Sequence, residues 1–153
     1  MATDEFEMVN TSFRLAVTIK DHAKVADMPA VMARDFRDLM SYVQRRGIKV
    51  SGPPFTYYHA WSDKEVDLEC GFPTGEEVKN DGRFKAFILP SVRAVVAMHS
   101  GPYSDIVRTY TEVQRWMKEN AHQPTDQMWE IYLNDPTTTA QSDLLTQIVW
   151  PLK

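Results

Sequence analysis

The sequence predicts an α+β fold in which duplicated strand-helix-strand-strand units form a curved antiparallel sheet with two helices and a central groove. Three observations predict it. The chain has 153 residues, 43% hydrophobic and 25% charged, the size and composition of one globular domain with a substantial core. Apolar residues recur at helical spacing in two segments and at a period of two in several others. The chain also matches itself at a constant offset of 74 residues, pairing Phe36 with Tyr110, Leu39 with Val113, Tyr42 with Trp116, Val43 with Met117, Gly47 with Ala121, Phe55 with Trp129 and Tyr58 with Tyr132. After a four-residue lengthening of the second hairpin, Phe72-Pro73 aligns with Trp150-Pro151. The expected organisation is one domain, 1–153, with repeats at about 11–73 and 91–152.

In the first copy, Phe13 to Ile19 alternates as a strand does. Asp27 suits a helix N-cap, and Pro29 is tolerated in the first turn. Met32, Phe36, Leu39 and Val43 then make one apolar stripe, and Gly47 supplies the stop. Phe55 to Ala60 and Glu65 to Phe72 follow as a hairpin around Ser62-Asp63-Lys64. Thr74 to Gly82 reads as a polar connection, and Arg83 to Leu89 as one further strand. In the second copy Val92 to His99 is rich in β-branched residues, and Gly101-Pro102 turns the chain. Ser104 can cap a helix, and Asp105 suits its positive end. Ile106, Tyr110, Val113 and Met117 form the stripe. Gln127 to Asn134 and Leu144 to Trp150 close the copy as a second hairpin.

A formal charge of −4 argues against a nucleic-acid surface, which carries a basic patch. Arg45-Arg46 with Lys49 is the longest basic cluster and reads as a solvated helix end. The single cysteine, Cys70, excludes an intrachain disulfide framework; it fits a reducing cytoplasm and reads as a small core residue. Asp4, Glu5, Glu7 and Asn10 interrupt any signal-peptide run, and no stretch has the ~20 apolar residues of a membrane span. The expectation is a cytoplasmic protein with no membrane partner. His59 and His99 form no metal set, His22 and His122 fall in loops, and no phosphate-cradling or nucleophile-elbow motif is present. No metal and no cofactor are expected.

The odd residue is Glu130 in Met128-Trp129-Glu130-Ile131-Tyr132-Leu133. On a strand Met128, Glu130 and Tyr132 share one face, while Trp129, Ile131 and Leu133 share the other. A carboxylate among aromatic and aliphatic residues either faces water or awaits a neutralising partner. Beside an aromatic ring, that partner matches an organic cation. The hairpin Phe55-Thr56-Tyr57-Tyr58-His59-Ala60-Trp61 is unusually aromatic, so Tyr58 and Trp61 join Tyr132 as candidate wall residues, with core packing as the alternative. Glu69 shares a face with Asp67, away from Val66, Leu68 and Cys70; it offers a second negative wall or plain surface exposure. Trp150 closes the second copy as a packing or contact residue. Side-by-side joining of the copies places the expected groove at their junction, where ligand sites commonly form.

Gly101-Pro102-Tyr103, Trp129-Glu130-Ile131-Tyr132-Leu133-Asn134-Asp135-Pro136 and Thr146-Gln147-Ile148-Val149-Trp150-Pro151-Leu152, with Gly52-Pro53-Pro54-Phe55, Tyr58, Val66-Asp67-Leu68-Glu69 and Gly71-Phe72-Pro73 in the first copy, closely resemble the GyrI-like small-molecule-binding domain. That domain is also the effector-binding module of AraC-type and MerR-type multidrug-sensing transcription activators. The resemblance covers residues 11 to 152. It implies a duplicated fold with a central pocket in which the glutamate of the Trp-Glu-x-Tyr stretch sits beside aromatic rings and attracts lipophilic cations. That role carries over to Glu130, and with it ligand-contact roles for Tyr132, Tyr58, Glu69, Trp61, Tyr103 and Trp150. Two departures stand out: Gln147 replaces an acid frequent in the family, and Asp27-Met28-Pro29 replaces the Gly-Pro-Tyr turn in the first copy.

The resemblance further implies a stand-alone form, with no helix-turn-helix module or basic reading helix and therefore no direct nucleic-acid binding. The leading expectation is a cytoplasmic binding protein for hydrophobic, often cationic, small molecules. The alternative is a hydrolase of strained, cyclopropane-bearing electrophilic toxins, in which Glu130 and Tyr132 are the catalytic pair. A third reading is an inhibitor that interacts with gyrase. A homodimer, gyrase and a transcription regulator stay open as partners.

Overall fold

The computed structural model describes residues 6–153; Asp4 and Glu5, read above as interrupting a signal sequence, lie outside the described residues. The chain divides into two compact units, a first spanning Ser12–Ser91 and a second made of Val92–Lys153 with the strand that precedes Thr11. Each is built from antiparallel strands and one long helix.

In the first unit, β2 (Arg14–Lys24) leads through a short 3-10 turn into α1 (Met28–Arg46), followed by β3 (Phe55–Trp61), β4 (Glu65–Pro73) and β5 (Phe84–Leu89). The strand order is β3-β4-β2-β5. Pro29 does open α1, and Gly47 ends it at φ 64, the left-handed region a glycine enters without strain. Asp27 stands at the cap position but makes no side-chain capping bond. The buried line of α1 runs through Asp35, Leu39, Tyr42 and Val43, so the helix is rotated from the expected stripe, leaving Met32 and Phe36 half-buried.

In the second unit, β6 (Arg93–Ser100), α2 (Ile106–Glu119), β7 (Met128–Tyr132) and β8 (Leu145–Pro151) repeat the strand-helix-strand-strand order. A short strand β1 (Glu7–Asn10), which has no sequence signature of its own, pairs with β6 and gives the order β1-β6-β8-β7. Before α2 the chain makes a 3-10 turn over Tyr103–Asp105, and Asp105 occupies the N-cap position without a side-chain bond. The buried line of α2 is Thr109, Val113 and Met117. It is rotated in the same sense as that of α1, with Thr109 at the position 74 residues after Asp35.

Ring contacts fix which sheet face each helix covers. Phe36 on α1 meets Phe72 at 6.0 Å, and Tyr42 stacks on Phe84 at 3.9 Å. The helix-covered face of the first unit therefore carries Val17, Ile19, Thr56, Tyr58, Leu68, Cys70 and Phe72, by the register of β2, β3 and β4. Cys70 has no exposed surface, and burial pushes its thiol well above the ordinary range, as fits a packing residue. In the second unit Tyr110 on α2 meets Trp150 at 6.2 Å. The covered face there carries Val95, Ala97, His99, Glu130, Tyr132, Thr146 and Ile148.

Gly71 marks the closest approach inside the first unit. A Cβ there would lie 2.7 Å from Thr18 Cγ2, 2.8 Å from Phe55 Cζ and 2.8 Å from the Val17 carbonyl oxygen. The carbonyl belongs to the neighbouring strand and cannot yield without moving the ladder. Gly71→Ala is expected to lower unfolding free energy by about 2 kcal/mol through overpacking, read as a reduced urea midpoint at unchanged slope.

Candidate functional site

Glu130 is 3% exposed, on the face of β7 that α2 covers. Its Oε1 accepts a hydrogen bond from Tyr132 Oη at 3.0 Å; alternation along β7 puts both side chains on one side. Tyr103, in the turn before α2, packs edge-on against Tyr132 with ring centroids 5.6 Å apart. Burial, then the negative charges of Glu130 and Asp135, raises the Tyr103 phenol above its ordinary pKa. The second unit thus gathers one carboxylate and two phenol rings side by side, with Ile148 as the cross-strand neighbour of Glu130.

The turn that delivers Tyr103 is pinned by a buried histidine. His99 sits at the end of β6 with no exposed surface. Its Nε2 lies 2.9 Å from the Pro102 carbonyl, which fixes that nitrogen as the donor. Nδ1 then accepts from Thr109 Oγ1 at 2.7 Å, tying the turn to the first turns of α2. Thr146, cross-strand neighbour of both His99 and Tyr132, is fully buried, and its hydroxyl has no hydrogen-bond partner among the described residues. Such a group is rare and calls for an explanation.

The remaining sequence-predicted residues are dispersed. Trp150 is buried on the same face and donates its indole N–H to the Thr125 carbonyl at 3.2 Å, with Tyr110 against its ring; it packs the core of the second unit. Gln147, the departure from the family pattern, is on the opposite face of β8 from Glu130. In the first unit Tyr58 is buried on the helix-covered face, and Trp61 ends β3 at 41% exposed. Glu69 faces the other way from Tyr58. It is 7% exposed, accepting from Thr18 Oγ1 at 2.5 Å on Oε2 and from His59 Nε2 at 2.7 Å on Oε1. Tyr58 and Glu69 thus cannot share a wall of the first unit.

Sequence reasoning misses three participants. His99 and Thr109 carry no local signature, since their pairing depends on how α2 docks on β6. His59 reads from sequence only as part of an aromatic hairpin and of no metal set; among the described residues no group of three or more metal-ligating side chains comes together. Also among the described residues, no helix is long and apolar enough to cross a membrane.

Comparison with known proteins places this geometry in context. The family model described as GyrI-like small molecule binding domain matches residues 23–153. Among solved structures, the C-terminal domain of EcmrR superposes with a TM-score of 0.87 at 18% identity, covering 99% of this chain and 99% of that one. EcmrR in its DNA complex gives 0.86 at 18% identity, and there the chain spans only 57% of the regulator's length. SAV2435 bound to tetraphenylphosphonium gives 0.68 at 14% identity, covering 97% and 94% of the two chains. At such identities these likenesses concern the fold. No curated protein matches the sequence.

Proposed function

Because the chain belongs to the GyrI-like small-molecule-binding family, we propose that its second unit binds hydrophobic organic cations, with Glu130 as the counter-charge and Tyr132 and Tyr103 as the aromatic wall. The observation that carries this reading is a carboxylate 3% exposed beside two phenol rings on the helix-covered face of β7. A carboxylate held in so dry a setting is a cost to the fold, and a ligand bearing positive charge offsets that cost. Aromatic faces add roughly 0.5–2 kcal/mol for a cation over the ring. The buried Thr146 hydroxyl supplies a further polar contact for a ligand that reaches the floor of the sheet.

The neighbours are consistent with this reading. The solved structure of SAV2435 contains tetraphenylphosphonium, a bulky lipophilic cation, and EcmrR uses the same fold within a DNA-bound regulator. Small-molecule recognition in this chain is expected to be broad in shape and strict in charge. Fluorescence titration with a rhodamine-type cation and an uncharged dye of matched size tests it. The cation is expected to bind in the micromolar range, at least tenfold tighter than its neutral counterpart, the equivalent of ~1.4 kcal/mol. Equal affinity for the two dyes would remove the carboxylate from the account.

A hydrolytic reading has one observation in its favour. The Tyr132 hydroxyl touches Glu130 at 3.0 Å, so a proton donor and a carboxylate that can steer water stand together. One neighbour of this fold, at 16% identity and a TM-score of 0.71, is described as a hydrolase from Listeria innocua. Incubation with a strained-ring electrophile, followed by mass spectrometry, separates the readings: turnover to a water adduct supports hydrolysis, and a stoichiometric complex supports binding alone.

A further inference from the structure

On the face of the first unit that α1 does not cover, a second polar group is held ready. Strand β3 slips register between Tyr58 and Ala60, leaving His59 as the extra residue of a β-bulge. Bulges re-aim side chains and are over-represented next to functional sites. His59 is held at Nε2 by Glu69, whose other oxygen is taken by Thr18 Oγ1. With Nε2 as the donor to Glu69, Nδ1 is the acceptor nitrogen of the ring. His59 is about a quarter exposed, and Nδ1 has no hydrogen bond among the described residues.

Around it lies an aromatic step. Tyr57 is 4.8 Å from the His59 ring, and half-buried Phe87 is 5.3 Å from Tyr57 and 6.3 Å from His59. The charges on this face are specific too. Lys20 is the register partner of Glu69 and Lys85 that of Thr18; both are exposed, with no ion pair among the described residues. Asp67, next along β4, is engaged by His22. The face therefore combines π surface, an imidazole oriented by Glu69, and two lysine ammonium groups beside the Glu69 and Asp67 carboxylates.

We propose that this face is a second ligand site, distinct from the Glu130 site, for hydroxylated aromatic molecules. The ring packs on half-buried Phe87, the phenolic O–H donates to His59 Nδ1, and the proton moves toward that nitrogen as the resulting imidazolium is held by Glu69. Lys20 and Lys85 supply positive field for the phenolate. His59 is the residue that reads the hydroxyl, and Glu69 with Thr18 fixes its tautomer and orientation.

The test uses 7-hydroxycoumarin and 7-methoxycoumarin, which differ only in the donor. Isothermal titration of the wild-type protein is expected to show the hydroxy compound bound about fivefold more tightly, the worth of one hydrogen bond to a neutral acceptor. The bound excitation spectrum is expected to shift toward the phenolate band. His59→Phe keeps the aromatic step and is expected to abolish both the preference and the shift. Glu69→Gln is expected to reduce the shift. Equal affinities of wild type for the two coumarins, or no binding of either, overturn the proposal without recourse to any variant. So does a shift that survives His59→Phe, or one that disappears on Glu130→Gln instead.

Discussion

Replacing Glu130 by glutamine is expected to weaken binding of a lipophilic monocation by roughly ten- to a hundredfold, with binding of an uncharged dye of the same shape nearly unchanged. The size follows from the charge that is removed. An interaction with a charged group contributes about 1.5–3 kcal/mol net, and each 1.4 kcal/mol is a factor of about ten in affinity. Coulomb attraction at a buried carboxylate is larger before desolvation is counted, but desolvation of both ions returns much of it. Glutamine preserves volume and still accepts from Tyr132 Oη, so the 3.0 Å contact survives the change. The free protein is expected to be as stable as wild type or more so, since a 3% exposed charge has been removed. Titration with a rhodamine-type cation and its neutral counterpart, alongside urea unfolding, reads all three quantities. Unaltered cation affinity in a folded Glu130→Gln variant would falsify the assignment of Glu130 as counter-charge.

Glu130 is legible in the sequence because its signal is local. Period-two alternation assigns Glu130 and Tyr132 to one face and Trp129 and Ile131 to the other, and the register of β7 against β8 follows that division. Helix limits are legible for the same reason: Pro29 and Gly47 act on their own backbone. What cannot be read depends on docking. Apolar spacing puts the helix stripes on Phe36 and Tyr110, the larger apolar residues, whereas each helix buries the residue before, Asp35 and Thr109. An acid next to apolar neighbours on a helix looks solvated until the strand opposite is known. His59 is hidden likewise, because a bulge is a property of two paired strands. Strand β1 has four residues and no alternation, and it exists only through its ladder to β6.

The second large effect concerns Asp35, and it is read by pH. Asp35 has no exposed surface. Its Oδ1 receives Arg34 and Arg83, each at 3.2 Å, while Oδ2 has no hydrogen-bond partner among the described residues. Asp21 on β2 and Asp38 on α1 share these two arginines, with Arg34 bound to Asp21 and Arg83 to Asp38 at 2.7 Å. Burial pushes the Asp35 carboxyl from 3.8 up to about 6, with the neighbouring Asp21 carboxylate adding to the rise and Arg34 opposing it. The sign is opposite to that of a salt-bridged aspartate. Folding favours the protonated form, so the stabilisation this group contributes is complete below about pH 4 and is lost as pH rises through 6. A pKa difference of one between folded and unfolded chain corresponds to ~1.4 kcal/mol, which sets the effect at about 2–3 kcal/mol.

Asparagine at this position mimics the protonated acid at every pH. Arg34 and Arg83 are each 46% exposed and keep Asp21 and Asp38, so the substitution does not strand a buried cation. Urea unfolding of wild type and Asp35→Asn at pH 4 and pH 7.5 reads Asp35 with its neighbour Asp21, because carboxylates remote from it, including Asp67 and Asp135 whose pKa values are lowered, cancel in the difference. The variant is expected to gain about 2–3 kcal/mol on wild type between the two pH values. Parallel profiles would mean that Asp35 is ionised at little cost, its charge met by the two arginines. The second unit supplies the internal comparison: Thr109 occupies the corresponding helix position, bonded to His99 at 2.7 Å where the first unit has Asp21 beside Asp35. The same helix position is thus polar in both units, a hydroxyl bonded to an imidazole in one and an acid beside an acid in the other. In the first unit that position is an acid whose pKa is raised by burial, so the seating of α1 depends on a proton.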